Sequence, residues 1–143
     1  MGYYSSNKEL EKQIPPQIPS APFRCISDLY CSLLKYGWER LTAYDPKMYD
    51  ENNKCVSQCN VTVMLVKKYF GGDIIKYPNP TPDKKMHYFN RICVGGQICD
   101  LDLTSEQFES PLNDYSAMKE NGNKSLTTYC RHIRIAELRM EIK

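Results

Sequence analysis

The chain has no apolar stretch near the roughly 20 residues that a membrane-spanning helix requires, so a membrane partner is not expected. Its opening residues, "MGYYSSNKELEKQ", hold no apolar core of the kind that marks a secretory leader. Basic residues form no stripe. The 19 Lys and Arg are interspersed with 17 Asp and Glu, for a net charge of +2, and no nucleic-acid partner is expected. There is no Cys-x-x-Cys pair, histidine occurs twice and tryptophan once. Seven cysteines, an odd number without an export signal, predict reduced thiols in a cytoplasmic protein rather than a disulfide framework. Most of them read as small buried hydrophobes.

What is present suits a globular domain. A length of 143 residues, 41% hydrophobic and 25% charged, is enough for one core. Residues 1–22 read as a Pro-rich N-terminal arm, because "QIPPQIPSAP" (13–22) has too many prolines for a helix or a central strand. Residues 23–143 read as a single α+β domain. "FRCISDLYCSLLKYG" places Ile26, Leu29, Tyr30, Leu33 and Leu34 on one helical face, with Pro22 in its first turn and Gly37 as its C-terminal cap. Trp38, which follows, reads as core packing.

The stretch "SQCNVTVMLVKKYFGG" (57–72) predicts a helix from about Ser57 to Phe70. Ser57 is its expected N-cap, Val61, Met64, Leu65 and Tyr69 its apolar stripe, and Gly71-Gly72 its end. Cys59 then lies in the first turn. Unpaired backbone N–H groups and the positive end of the dipole there favour a thiolate over a thiol. "DIIKY" reads as a strand and "PNPTPD" as a polar loop.

"MHYFNRICV" and "QICDLDL" flank Gly95-Gly96, a hairpin signal in which Val94 pairs with Gln97. That register sets Phe89 opposite Asp102 and gathers His87, Phe89, Asp100, Asp102 and Thr104 on one face. Asp102 becomes the diagonal neighbour of His87, placed to orient its imidazole. A slip of one residue would put Leu101 and Leu103 there instead. "TSEQF" has Thr104 and Gln107 at capping-box spacing, residues 110–124 read as a loop, and "LTTYCRHIRIAELRMEIK" as a closing helix with Leu126, Tyr129, Ile133 and Ala136 inward. Cys59, His87 and Asp102 are thus candidates for nucleophile, base and orienting acid.

Three segments in order, "QCNVTVMLVKKYFGGDI", "HYFNRI" and "DLTSEQF", resemble the YunG-like family of small bacterial proteins. An upstream tryptophan such as Trp38 fits that pattern too. The chain departs from it at Ser57, where a glycine is usual, and at Asn60, where a small residue is usual. The order Cys on a helix, His on a strand and Asp on the next strand is similar to papain-like and NlpC/P60-like cysteine enzymes. The resemblance implies that the helix of Cys59 packs against the sheet carrying His87 and Asp102. It adds Gln58 and Trp38 as candidates for oxyanion and substrate binding; Asn90, on the strand face opposite His87, reads as structural.

The function expected is acyl transfer on a protein substrate or a small amide or thioester: a peptidase, amidase, deamidase or transglutaminase-like enzyme needing no cofactor. Two other readings compete. In one, the same pocket belongs to a binding or inhibitor module, of phage or bacterial type, without chemistry. In the other, Cys55, Cys59, His87, Cys93 and Cys99 hold zinc. Cys93 and Cys99 are both expected on the hairpin face away from His87, which counts against the metal.

Overall fold

Gly95 and Gly96 adopt φ of 55° and 80°, the left-handed conformations a two-residue hairpin turn demands. They join β3 (His87–Val94) to β4 (Gln97–Asp102), and the register is the expected one, from Val94↔Gln97 to Asn90↔Leu101. The molecule is described by a computed structural model covering residues 2–78, 86–126 and 130–142; most of the "PNPTPD" loop lies outside them. β2 (Asp73–Tyr77) pairs antiparallel with β3, and β1 (Tyr4–Ser5) with β4, so the sheet order is β1-β4-β3-β2. The class is α+β with a small open antiparallel sheet.

Segment 1–22 does more than lead into the domain. It supplies the edge strand β1, a short helix α1 (Lys8–Glu11) capped by the Asn7 side chain, and two core residues, Leu10 and Ile14. In the proline-rich stretch, the Gln17 amide donates to the Tyr69 carbonyl at 2.7 Å.

α2 (Ile26–Ser32) continues as a π-helical turn over Leu33–Gly37. Ile26, Leu29, Tyr30 and Leu33 are buried as expected, but Leu34 is 41% exposed. The wider π-turn adds a residue per turn and rotates Leu34 off the stripe. Pro22 lies ahead of the helix rather than in its first turn, since Cys25 is the N-cap.

α3 (Cys59–Phe70) buries Val61, Leu65, Val66, Tyr69 and Phe70 in one cluster with Ile92, Cys99 and Leu101 of the sheet and Leu103 just beyond it. Its N-cap is Gln58, not Ser57. Ser57 instead takes a left-handed φ of 65°, the conformation that makes glycine the easier residue there. Its hydroxyl accepts from the Asp45 amide (2.9 Å) and its carbonyl from the Tyr44 amide (2.8 Å). After α3 the chain passes close under β3. A Cβ on Gly72 would sit 2.7 Å from the Arg91 carbonyl oxygen, so only glycine fits. Asn90 donates to the Val63 carbonyl at 2.9 Å, the structural role expected of it. β3 therefore runs in the same direction as α3, which brings His87, its first residue, toward the helix start.

α4 (Cys130–Arg139) buries Ala136 and half-buries Ile133; Leu126 is buried ahead of the helix, and Tyr129 lies outside the described residues. Its buried Glu137 accepts from Lys68 and Tyr69 of α3. No described helix is long and apolar enough to cross a membrane.

Candidate active site

The hairpin face turned away from α3 carries His87, Phe89 and Arg91 on β3, with Asp100 and Asp102 on β4. Alternation from His87 also puts Cys93 on this face, contrary to expectation; it is exposed near the turn, while Cys99 is buried on the other face. The two thiols therefore cannot converge. Among the described residues no group of three His, Cys, Asp or Glu side chains is placed to hold a metal ion. The six described cysteines are free thiols.

His87 Nε2 lies 2.7 Å from Asp102 Oδ2, the diagonal contact the register implies. Both residues are almost wholly buried. Asp102 is held from three further directions. Tyr115 donates its hydroxyl to Oδ2 at 2.7 Å, and the Thr104 amide and hydroxyl donate to Oδ1 at 3.2 Å each. The Gln107 side chain in turn donates to the Thr104 hydroxyl at 3.1 Å. The expected capping box is therefore absent; Thr104 spends its hydroxyl on the carboxylate, and Ser105–Gln107 form only a 3-10 turn.

The environment settles the charge preference of His87. Burial pulls its pKa down, but the charge and hydrogen bond of Asp102 outweigh that, and a hydrogen bond with Cys59 adds to them. The net effect raises it to about 10. The Phe108 ring stands edge-on to the imidazole with centroids 4.8 Å apart. Asp102 occupies Nε2, so Nδ1 is the nitrogen left for the thiol.

Cys59 is the first residue of α3 and 8% exposed. Its thiol donates to Asn60 Oδ1 at 3.1 Å. The helix ladder opens with the Thr62 amide on the Gln58 carbonyl, which leaves the N–H groups of Cys59, Asn60 and Val61 outside it. Cys55 lies four residues earlier and is buried. Burial, reinforced by Glu106 and Asp102, pushes its thiol up to about 12.

Gln58 is fully buried and occupied at both ends: Nε2 donates to the Glu39 carbonyl at 2.9 Å, and Oε1 accepts from the Thr42 hydroxyl at 2.8 Å. Trp38 donates to the Thr62 hydroxyl at 2.8 Å and packs in the core, with one edge lining a cavity of about 590 Å³ beside Cys55. A second cavity, of about 600 Å³, is bounded by Tyr4, Phe108 and Tyr115. The two share Gly2 and Glu106, and neither is lined by Cys59 or His87.

Sequence reasoning missed Tyr115. It lies in a stretch with no periodicity, one of eleven tyrosines, and its position depends on the polar face it covers. Arg91 fixes it there. The guanidinium forks onto Asp100 (2.7 and 3.1 Å) and donates to the carbonyls of Tyr115 (3.0 Å) and Met118 (2.7 Å).

Fold and site together define a small α+β protein with a cysteine at a helix start facing a buried His–Asp pair. The chain belongs to the YunG family: the family model described as YunG protein matches residues 26–142. It is 35% identical over 80 residues to the Bacillus subtilis (strain 168) "Uncharacterized protein YunG", a match covering 56% of this chain and 61% of the relative's length. No solved structure matches.

Proposed function

We propose that the chain is a cysteine-dependent acyl-transfer enzyme of the peptidase, amidase, deamidase or transglutaminase-like class, with the papain-like or NlpC/P60-like order of Cys59, His87 and Asp102. The reading rests on one observation: a buried imidazole paired with a carboxylate that Tyr115 and Thr104 also hold, and hydrogen-bonded to the thiol at the start of α3. Cys59 Sγ attacks a carbonyl carbon; an S–C bond forms and the π pair moves onto oxygen. The thiol proton passes to His87 Nδ1, and Asp102 stabilises the imidazolium. Collapse restores the carbonyl and expels an amine or thiol, which takes the proton from His87. Water or an amine then releases the acyl group, gives its proton to His87, and regenerates the thiol.

Site-resolved iodoacetamide labelling near pH 6 tests this. Cys59 should react faster than the other cysteines, and His87→Ala should remove the advantage. Equal rates in wild type and variant reject the triad. The free thiols suit a reducing compartment, and we infer the cytoplasm. The binding-module reading expects its ligand in the pocket of Cys59, which neither cavity includes. Ligand capture that survives Cys59→Ala, without rapid labelling in wild type, would favour it.

A further inference from the structure

We propose that Asn60 is a catalytic residue of the Cys59 centre, its side-chain amide donating to the oxyanion that forms during acyl transfer. The inference rests on the acyl-transfer reading and supplies a donor that reading lacks. Gln58 is the candidate from resemblance, but turning it toward a substrate would break its bonds to Glu39 and Thr42 and leave a fully buried carboxamide unpaired. Asn60 has no such anchor. Its carboxamide touches the nucleophile, with Oδ1 3.1 Å from Sγ, and among the described residues no acceptor pairs with its Nδ2.

A carboxamide carries an acceptor at one end and a donor at the other, on a single two-fold torsion. Which end faces Cys59 follows the proton. In the resting thiol, S–H donates to Oδ1. Transfer of that proton to His87 removes the hydrogen and sets an oxygen lone pair against an anion. Rotation of the amide then presents Nδ2–H, at the cost of one weak thiol hydrogen bond. The oxyanion grows on a carbon bonded to Sγ, so a group in contact with Sγ stands in the range, about 3 Å, that such a donor needs. The unladdered N–H groups of Cys59, Asn60 and Val61 lie in the same turn and complement it.

The test compares two reagents at Cys59 in the full-length chain, resolved by mass spectrometry. Iodoacetamide alkylates by direct displacement and forms no oxyanion; S-phenyl thioacetate acetylates through a tetrahedral oxyanion and releases thiophenol. Asn60→Ala should cut acetylation by ~10²-fold while alkylation stays close to wild type and dependent on His87, which also reports a folded site. Asn60→Ser, with a hydroxyl donor, should recover part of the loss. Acetylation unchanged in Asn60→Ala, or falling in parallel with alkylation, overturns the assignment. A wild-type ratio of acetylation to alkylation no greater than that of N-acetylcysteine fails differently: it removes the acyl-transfer reading itself.

Discussion

Asp100 and Asp102 sit two residues apart on the same face of the same strand, and both are almost completely buried, yet they belong to different regions. At the Asp100 end the partner is Arg91, a permanent cation that forks onto the carboxylate and ties down the Tyr115–Met118 segment. At the Asp102 end the partner is His87, whose charge depends on a proton. One end is a fastener and the other is a switchable pair. The hydroxyl of Tyr115 on Asp102 and its carbonyl on Arg91 connect the two. The register thus gives one buried carboxylate a permanent cation directly opposite and the other a titratable partner on the diagonal.

Substitutions separate the ends. His87→Ala should slow Cys59 alkylation near pH 6 the most, by ~10³-fold, because the imidazolium charge that holds the thiolate is gone. Asp102→Asn should follow at ~10²-fold, since the ring loses the group that fixes its tautomer and its charge. Asp100→Asn should leave the labelling rate within about threefold but cost about 3–5 kcal/mol of stability in urea, by stranding the Arg91 charge. Comparable rate losses in the two aspartate variants would erase the distinction.

The pH dependence of stability sharpens the contrast. The His87 pKa is raised in the folded state, from 6.5 to about 10, so its contribution is complete below pH 6.5 and is lost as pH rises through about 10. Urea midpoints at pH 6, 8 and 10 should trace that loss in wild type and in Asp100→Asn, and flatten in Asp102→Asn. Tyr115→Phe, which touches both ends, should cost about 1 kcal/mol and about tenfold in labelling rate. The smallest effect belongs to Ser57→Gly. Relief of the left-handed φ offsets the lost hydroxyl bond to Asp45, so stability should move by less than about 1 kcal/mol, with labelling unchanged.

The hairpin was legible because two glycines fix a turn and a period of two fixes every partner after it; the His87–Asp102 contact follows from those facts alone. The expectation for Cys93 failed on the same rule, as the alternation itself puts that residue on the face of His87, at the far end of the strand. The start of α3 was legible to within two residues, but Ser57 as its cap was not, because its backbone is set by Tyr44 and Asp45. A π-turn leaves apolar spacing intact while moving Leu34 outward, so periodicity could not reveal it. Tyr115 and β1 were hidden for a common reason. Each is a short segment whose position comes from a distant surface, Tyr115 from Arg91 and β1 from the open edge of β4.

The register also has a genetic consequence. Residues added at Gly95–Gly96 would lengthen an exposed tip and leave the paired strands unchanged. One codon inserted at Asp100 would instead reverse the facing of everything beyond it, sending the Asp102 carboxylate into the apolar layer and a leucine toward His87. Alleles in this stretch should therefore tolerate length change in the turn and reject odd-numbered insertions or deletions in β4, however conservative the added residue.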